Sequence, residues 1–282
     1  MKIKKTTIAF LLLSVILLFA IVVSVYFILG STSREIKVTK EFIEVLQSEN
    51  AIDNSVNANK MEYKPLKTEL NNNSNIKYTV ATGNYGVDLD KDYNVIGFSK
   101  KEIKQVNSRS IDIKEEMAIT LAEKYIKSIS NEEVKLKEIR KPDDDMVQFY
   151  TVVFYKFKDG YPYYDYEIVA KINKITGELD GYSNSFLNDI KHTSDINIKY
   201  DKANEIANEY FSKLNIKVNI KQEPLLAYVK TKDDNRSELA YIFTVEINSK
   251  EILGKKNKLF ISANSGEVIS IGNDEVEKKE VR

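Results

Sequence analysis

The chain has 282 residues with 42 Lys plus Arg against 42 Asp plus Glu, a balance that excludes the strongly basic face a nucleic-acid partner requires. It contains no cysteine, which rules out a disulfide framework, a thiol nucleophile and a cysteine-ligated metal. Hydrophobic residues make up 43%, including 17 Tyr and 12 Phe, enough for folded cores and too many for a disordered stalk.

From Ile8 to Leu29 there is neither a charged residue nor a proline. As a helix this run would be roughly 33 Å long at about 1.5 Å per residue, against a bilayer core of roughly 30 Å. Lys2, Lys4 and Lys5 precede it with no acid among them, which predicts a cytoplasmic tail over 1–7 and a transmembrane anchor over 8–30. The rest of the chain would then be extracytoplasmic. It carries 39 basic against 42 acidic residues, a net of −3 once those three lysines are set aside. A cleaved secretory signal is the rival reading, but its apolar region runs only about 7–15 residues and ends at a small-residue site. Gly30-Ser31-Thr32-Ser33 is a poor one. Within the run, Ala20-x-x-x-Ser24 is a small-xxx-small pair of the kind that seats a second membrane helix.

Residues 31–109 read as a juxtamembrane helix and a region of short strands. Ile36, Thr39, Phe42, Ile43 and Leu46 recur at helical spacing. Tyr78-Thr79-Val80, Tyr85-x-Val87-x-Leu89 and Val95-Ile96-x-Phe98 alternate like strands, with a turn over 90–94. Asp88-x-Asp90-x-Asp92-x-Asn94 spaces oxygen atoms like the start of a calcium loop. Tyr93 and Ser99 stand where such a loop needs its glycine and its bidentate glutamate, so a polar hairpin turn is the better reading.

The remainder repeats itself. Ala118, Leu121, Ala122, Tyr125 and Ile129 have the spacing of Ala203, Ile206, Ala207, Tyr210 and Leu214, and both sets predict a helix. Asp112 or a neighbour and Asp201 are the expected N-caps. Strand sequence follows each helix, Gln148–Tyr155 in one copy and Leu239–Glu246 in the other. Each copy then closes on a hairpin, Ile172 to Leu179 and Ile261 to Val268, with Gly177 and Gly266 supplying the positive φ of the turn. The pattern predicts two units of one helix and three or four antiparallel strands, at 110–190 and 195–273, with a flexible tail over 274–282. Residues 31–109 would hold a degenerate third copy.

Ala-x-x-x-Ala-x-x-Tyr on a helix, Leu239-Ala240-Tyr241-Ile242-Phe243-Thr244-Val245 as a strand and Ile261-x-Ala263-Asn264-x-Gly266-Glu267-Val268 at the hairpin resemble the PepSY family. Asp159-Gly160-Tyr161-Pro162 and Thr176-Gly177-Glu178 in the first copy are similar to the variant in YcdB-type proteins. The one-pass architecture also resembles the YycH/YycI membrane-anchored regulators. The resemblance implies an α+β fold, an N-terminal transmembrane helix followed by tandem cystatin-like modules. It further implies a non-catalytic role, inhibitory or regulatory toward proteins of the envelope.

Side chains for turnover are sparse. His192, the only histidine, falls between the copies in Lys191-His192-Thr193-Ser194-Asp195, which reads as an exposed linker. Glu178 and Glu267 sit beside turn glycines, where exposed acids are ordinary. No catalytic residue, metal or small-molecule cofactor is expected. What remains is surface for partners. Strand alternation puts Tyr161 and Tyr163 on one face and Tyr164 and Tyr166 on the other, as candidate binding residues. The expected partners are the membrane bilayer and another envelope protein, such as a sensor kinase or a protease. A protease-inhibitor or folding-assistant role is the alternative reading, and an envelope hydrolase a second one.

Overall fold

The structure is a computed structural model that describes residues 33–66, 75–101, 113–140, 148–184, 190–220, 223–231, 236–247 and 256–273. The chain divides into two compact units, Met1–Lys104 and Gln105–Arg282.

In the first unit, helix α1 (Arg34–Ser48) is followed by a short 3-10 turn (Ala58–Lys60) and four strands. These are β1 (Tyr63–Leu66), β2 (Tyr78–Thr82), β3 (Tyr85–Leu89) and β4 (Val95–Lys100), joined as an antiparallel meander. Thr39, Phe42, Ile43 and Leu46, one turn apart along α1, are its buried face. They share a core with Val80, Val87, Leu89 and Phe98. The Phe42 and Phe98 rings lie 5.8 Å apart. The β3–β4 turn is organised by Asp90, which is fully buried. Its Oδ1 accepts the Asp92 and Asn94 backbone N–H groups at 2.9 and 2.8 Å, and its Oδ2 accepts Asn94 Nδ2 at 2.9 Å. The acid that suggested a calcium loop therefore holds a hairpin closed.

The second unit begins with α2 (Glu115–Ile129), β5 (Val134–Arg140), β6 (Phe149–Lys158), β7 (Tyr161–Asn173), β8 (Leu179–Asn184) and β9 (Lys191–Thr193). It continues with α3 (Tyr200–Lys213), β10 (Val218–Ile220), β11 (Leu225–Lys230), β12 (Arg236–Ile247), β13 (Lys256–Ser262) and β14 (Val268–Asn273). Ala118, Ala122, Tyr125 and Ile126 form the buried stripe of α2, and Ala203, Ala207 and Phe211 that of α3. The small alanines let each helix lie close to the strands, and burying a residue the size of Ile126 contributes about 1.5–3 kcal/mol. The N-caps are Lys114 and Lys199, neither of which bonds through its side chain. Asp201 lies inside the first turn, where its charge complements the helix dipole instead.

The repeat is visible in matching hydrogen bonds. Gly177 N–H donates to Asn173 O and Gly266 N–H to Ser262 O, both at 3.0 Å. Tyr150 Oη donates to Ile113 O at 3.3 Å, and Tyr241 Oη to Ile198 O at 2.9 Å. Leu121 and Ile206 each bring a δ-carbon against the corresponding turn glycine.

The expected fold class nevertheless has to be corrected. The copies are not separate cystatin-like modules of one helix on three or four antiparallel strands. The described residues are mostly strand, fourteen strands against three α-helices, and the strands of the two copies join in a mixed sheet. β7 pairs in parallel with β11 at Tyr163–Tyr228, and β9 pairs in parallel with β12. The cause is local. β6 and β7 run in register from Phe149–Asn173 to Tyr155–Glu167 and resume at Phe157–Pro162, so Tyr163 to Tyr166 have only Lys156 opposite them. That excursion frees the first part of β7 to meet β11. The supposed linker at 190–193 adds to β12 as a strand. Among the described residues no helix is long and apolar enough to cross a membrane. The run 8–29 and the tail 274–282 lie outside the described residues.

Candidate functional site

The β7 excursion decides where the tyrosines go. Tyr163 is buried, 3% exposed, and its ring lies 5.2 Å from that of Tyr228. Tyr161 meets Tyr228 edge-on at 6.4 Å, and Tyr166 meets Tyr163 edge-on at 5.8 Å. All three pack with the core beneath α3 that contains Ala203, Ala207, Phe211 and Leu239. Strict alternation would send Tyr166 to the other face with Tyr164, and the irregular stretch opposite Lys156 reverses that assignment. Tyr164 alone joins the opposite face.

His192 is half-buried here and not an exposed linker residue. Its Nε2 lies 2.8 Å from Tyr163 Oη, and its ring packs edge-on against both Tyr163 and Tyr228, at 5.7 and 5.3 Å. Burial lowers the imidazole pKa from its ordinary 6.5, and Lys158 adds to the shift; Asp159 and a backbone hydrogen bond to Ile190 oppose it. Tyr163 in turn is held well above the ordinary phenol range, by burial first and then by Tyr228, Asp159, Tyr166 and Glu132. The Tyr228 hydroxyl is buried and makes no hydrogen bond of ordinary geometry, with only Ser194 close enough to ease its ionisation.

On the opposite face, Tyr164 of β7 and Phe260 of β13 meet edge to face at 5.1 Å. Strands β11 and β12 run between them, so their backbones are about 14 Å apart at about 4.8 Å per strand. The two rings close over the directly paired Ala227 and Ala240, whose small side chains leave the room, within a cluster that also holds Val229 and Ile242. Lys137 Nζ sits over the Tyr164 and Tyr155 rings, at 4.8 and 4.9 Å, and pairs with Glu167. Beside this cluster lies a groove of about 450 Å³, lined by Thr193, Thr231, Arg236, Glu238, Asn264 and Glu267 among others. Its residues come from β9, from the β11–β12 connection and the start of β12, and from the β13–β14 turn. Sequence reading had no means of gathering them.

One juxtaposition invites a catalytic reading. His192 and Ser237 are register partners on β9 and β12, so their side chains share a face. The Ser237 hydroxyl, however, is buried without a hydrogen-bond partner, while His192 Nε2 is occupied by Tyr163. A nucleophile needs its base in hydrogen-bond contact, and here no hydrogen bond joins the two. Among the described residues no three His, Asp or Glu side chains group as a metal would require. Ala20 and Ser24, expected to contact a membrane helix, lie outside the described residues. A buried network went unread in the sequence: Lys156 Nζ bonds Glu132 at 2.8 Å and Asn184 at 2.9 Å. Nothing in Tyr155-Lys156-Phe157 distinguishes it from an exposed strand lysine.

No family model and no curated protein sequence matches the chain. Among solved structures, the chain is similar to the Bacillus megaterium YpeB C-terminal domain, with 19% identity and a TM-score of 0.52. The match covers 82% of this chain and 95% of that one. It is a likeness of fold. YpeB is a PepSY-containing protein, so the likeness agrees at that coarse level with the PepSY resemblance of the sequence.

Proposed function

We propose that the chain is a non-catalytic binding protein that works outside the cytoplasm, held at the membrane through the apolar run 8–29. In this reading it regulates an envelope protein such as a sensor kinase, in the manner implied by the resemblance to YcdB-type proteins and to the YycH/YycI regulators. One observation carries the preference for binding over chemistry. The Ser237–His192 register pair is disconnected, its histidine being spent on Tyr163. The adjoining groove supports recognition. Arg236, Glu238 and Glu267 offer both signs of charge, and Thr193, Thr231 and Asn264 offer hydroxyls and an amide to a polar polypeptide segment.

Site-specific photo-crosslinking in intact cells tests this. A photoreactive residue at Asn264 or at Thr231 should capture the same single envelope protein, and one at the exposed Lys127 on α2 should not. Capture of unrelated proteins at the two groove positions, or equal capture at Lys127, would count against the reading.

A further inference from the structure

We infer that the first unit carries a bilayer-facing platform, in which Arg34, Tyr93 and Tyr78 seat the β3–β4 turn among phospholipid headgroups. The inference rests on the reading that the run 8–29 is a membrane anchor. Leu29 ends that run, and α1 begins five residues later at Arg34. That stretch of chain spans at most about 18 Å fully extended and about 7.5 Å as a helix. The headgroup layer is roughly 5–8 Å deep on each side of the hydrocarbon core. The tether therefore holds the start of α1 in that layer or close above it.

The side chains gathered at this end suit an interface. Arg34 Cζ lies 4.5 Å from the centre of the Tyr93 ring, and Tyr93 stacks on Tyr78 with centroids 4.8 Å apart and planes 10° from parallel. The stack joins the first residue of α1, the β3–β4 turn and the first residue of β2. Both rings are half-buried, outside the set of buried residues that Phe42 shares with Val80 and Phe98. Tyr93 holds φ at +70°, a left-handed backbone that a bulky residue seldom adopts, and the Asp90 carboxylate fixes the turn through the Asp92 and Asn94 N–H groups. A tyrosine where glycine would sit relaxed points to a use for its ring. Tyrosine has an apolar body and a polar tip, and a guanidinium stacked by its face keeps N–H donors around its rim. Such side chains settle at the boundary between membrane and water. Lys77, whose N–H donates to Leu89 O, and Lys91 in the turn are exposed beside the stack. Apart from the buried Asp90, the acids there are Glu35 and Asp92. This mixed field fits the phosphate that zwitterionic and anionic lipids share.

The test uses the full chain in nanodiscs of phosphatidylcholine and phosphatidylglycerol. The chain has no cysteine, so Asp92→Cys and Asn59→Cys each accept a single fluorescent label. Position 59 lies by the far end of α1, where the Ala58 N–H donates to Gln47 Oε1. Quenching by lipids that carry a nitroxide on the headgroup should be severalfold stronger at position 92 than at position 59. Tyr93→Gly suits the left-handed backbone and removes the ring, and Arg34→Gln leaves the turn untouched. Each should cut quenching at position 92 severalfold. Equal quenching at the two positions, or quenching at position 92 that either variant leaves in place, would overturn the platform while the anchor stood. A chain that does not stay with the nanodiscs would overturn both.

Discussion

Lys156 Nζ lies 2.8 Å from Glu132 Oε2, with the lysine side chain only 5% exposed and the glutamate 34%. Asn184 completes the group, accepting from the lysine through Oδ1 and donating to Glu132 Oε1 at 3.0 Å. The lysine is the single β6 residue opposite the β7 excursion, so the irregularity that frees Tyr163 is also the place where a charge is buried. Removing the lysine leaves the Glu132 carboxylate without its cation, held only by the Asn184 amide. Lys156→Met is expected to cost about 2–4 kcal/mol, more than an exposed ion pair is worth, because breaking a buried pair strands its remaining charge. Urea unfolding of the variant, set beside Lys202→Met on the exposed face of α3, measures the difference.

Gly177 and Gly266 make the repeat testable. Their φ angles are +73° and +77°, and a Cβ at either would stand 3.0 Å from Leu121 Cδ1 or 3.1 Å from Ile206 Cδ1. Gly177→Ala and Gly266→Ala should each destabilise by about 1–2 kcal/mol, from left-handed backbone and crowding against the helix. Thermal unfolding of the two variants should give similar losses, since the two turns are built alike.

These positions also show what the sequence could reveal. The helices, the long strands β6 and β12 and the glycine turns are specified by neighbours in the chain, through spacing, β-branched and aromatic content and the need for positive φ. The joining of the copies is not. It depends on the excursion of Tyr163–Tyr166 and on Lys191–Thr193 finding the edge of β12, and neither leaves a periodic signal. Tyr166 changed faces for the same reason. His192 read as a linker residue because its partners, Tyr163 and Tyr228, lie far from it in sequence. The N-caps were misplaced because Asp201 acts through the dipole from inside the helix and not through a capping bond.

Tyr228→Phe should be neutral or stabilising by up to about 1 kcal/mol. The hydroxyl is buried without a well-formed hydrogen bond, so removing it relieves a desolvated group while leaving the ring contacts with Tyr161, Tyr163 and His192. Denaturant midpoints of the two proteins decide the sign.

Tyr164→Ala should cost about 2–4 kcal/mol. It removes the ring that closes with Phe260 over Ala227 and Ala240, and the seat of the Lys137 cation. Tyr164→Phe should cost less than Tyr164→Ala, because the ring keeps its contacts with Phe260 and Lys137. Chemical denaturation of both variants separates the ring from its hydroxyl.

Recognition without turnover is most directly tested by photo-crosslinking from Asn264 in two backgrounds. With Ser237→Ala, capture of the envelope partner should continue at the parent's yield, and with Arg236→Glu it should fall severalfold. Capture abolished by Ser237→Ala and untouched by Arg236→Glu would contradict the account.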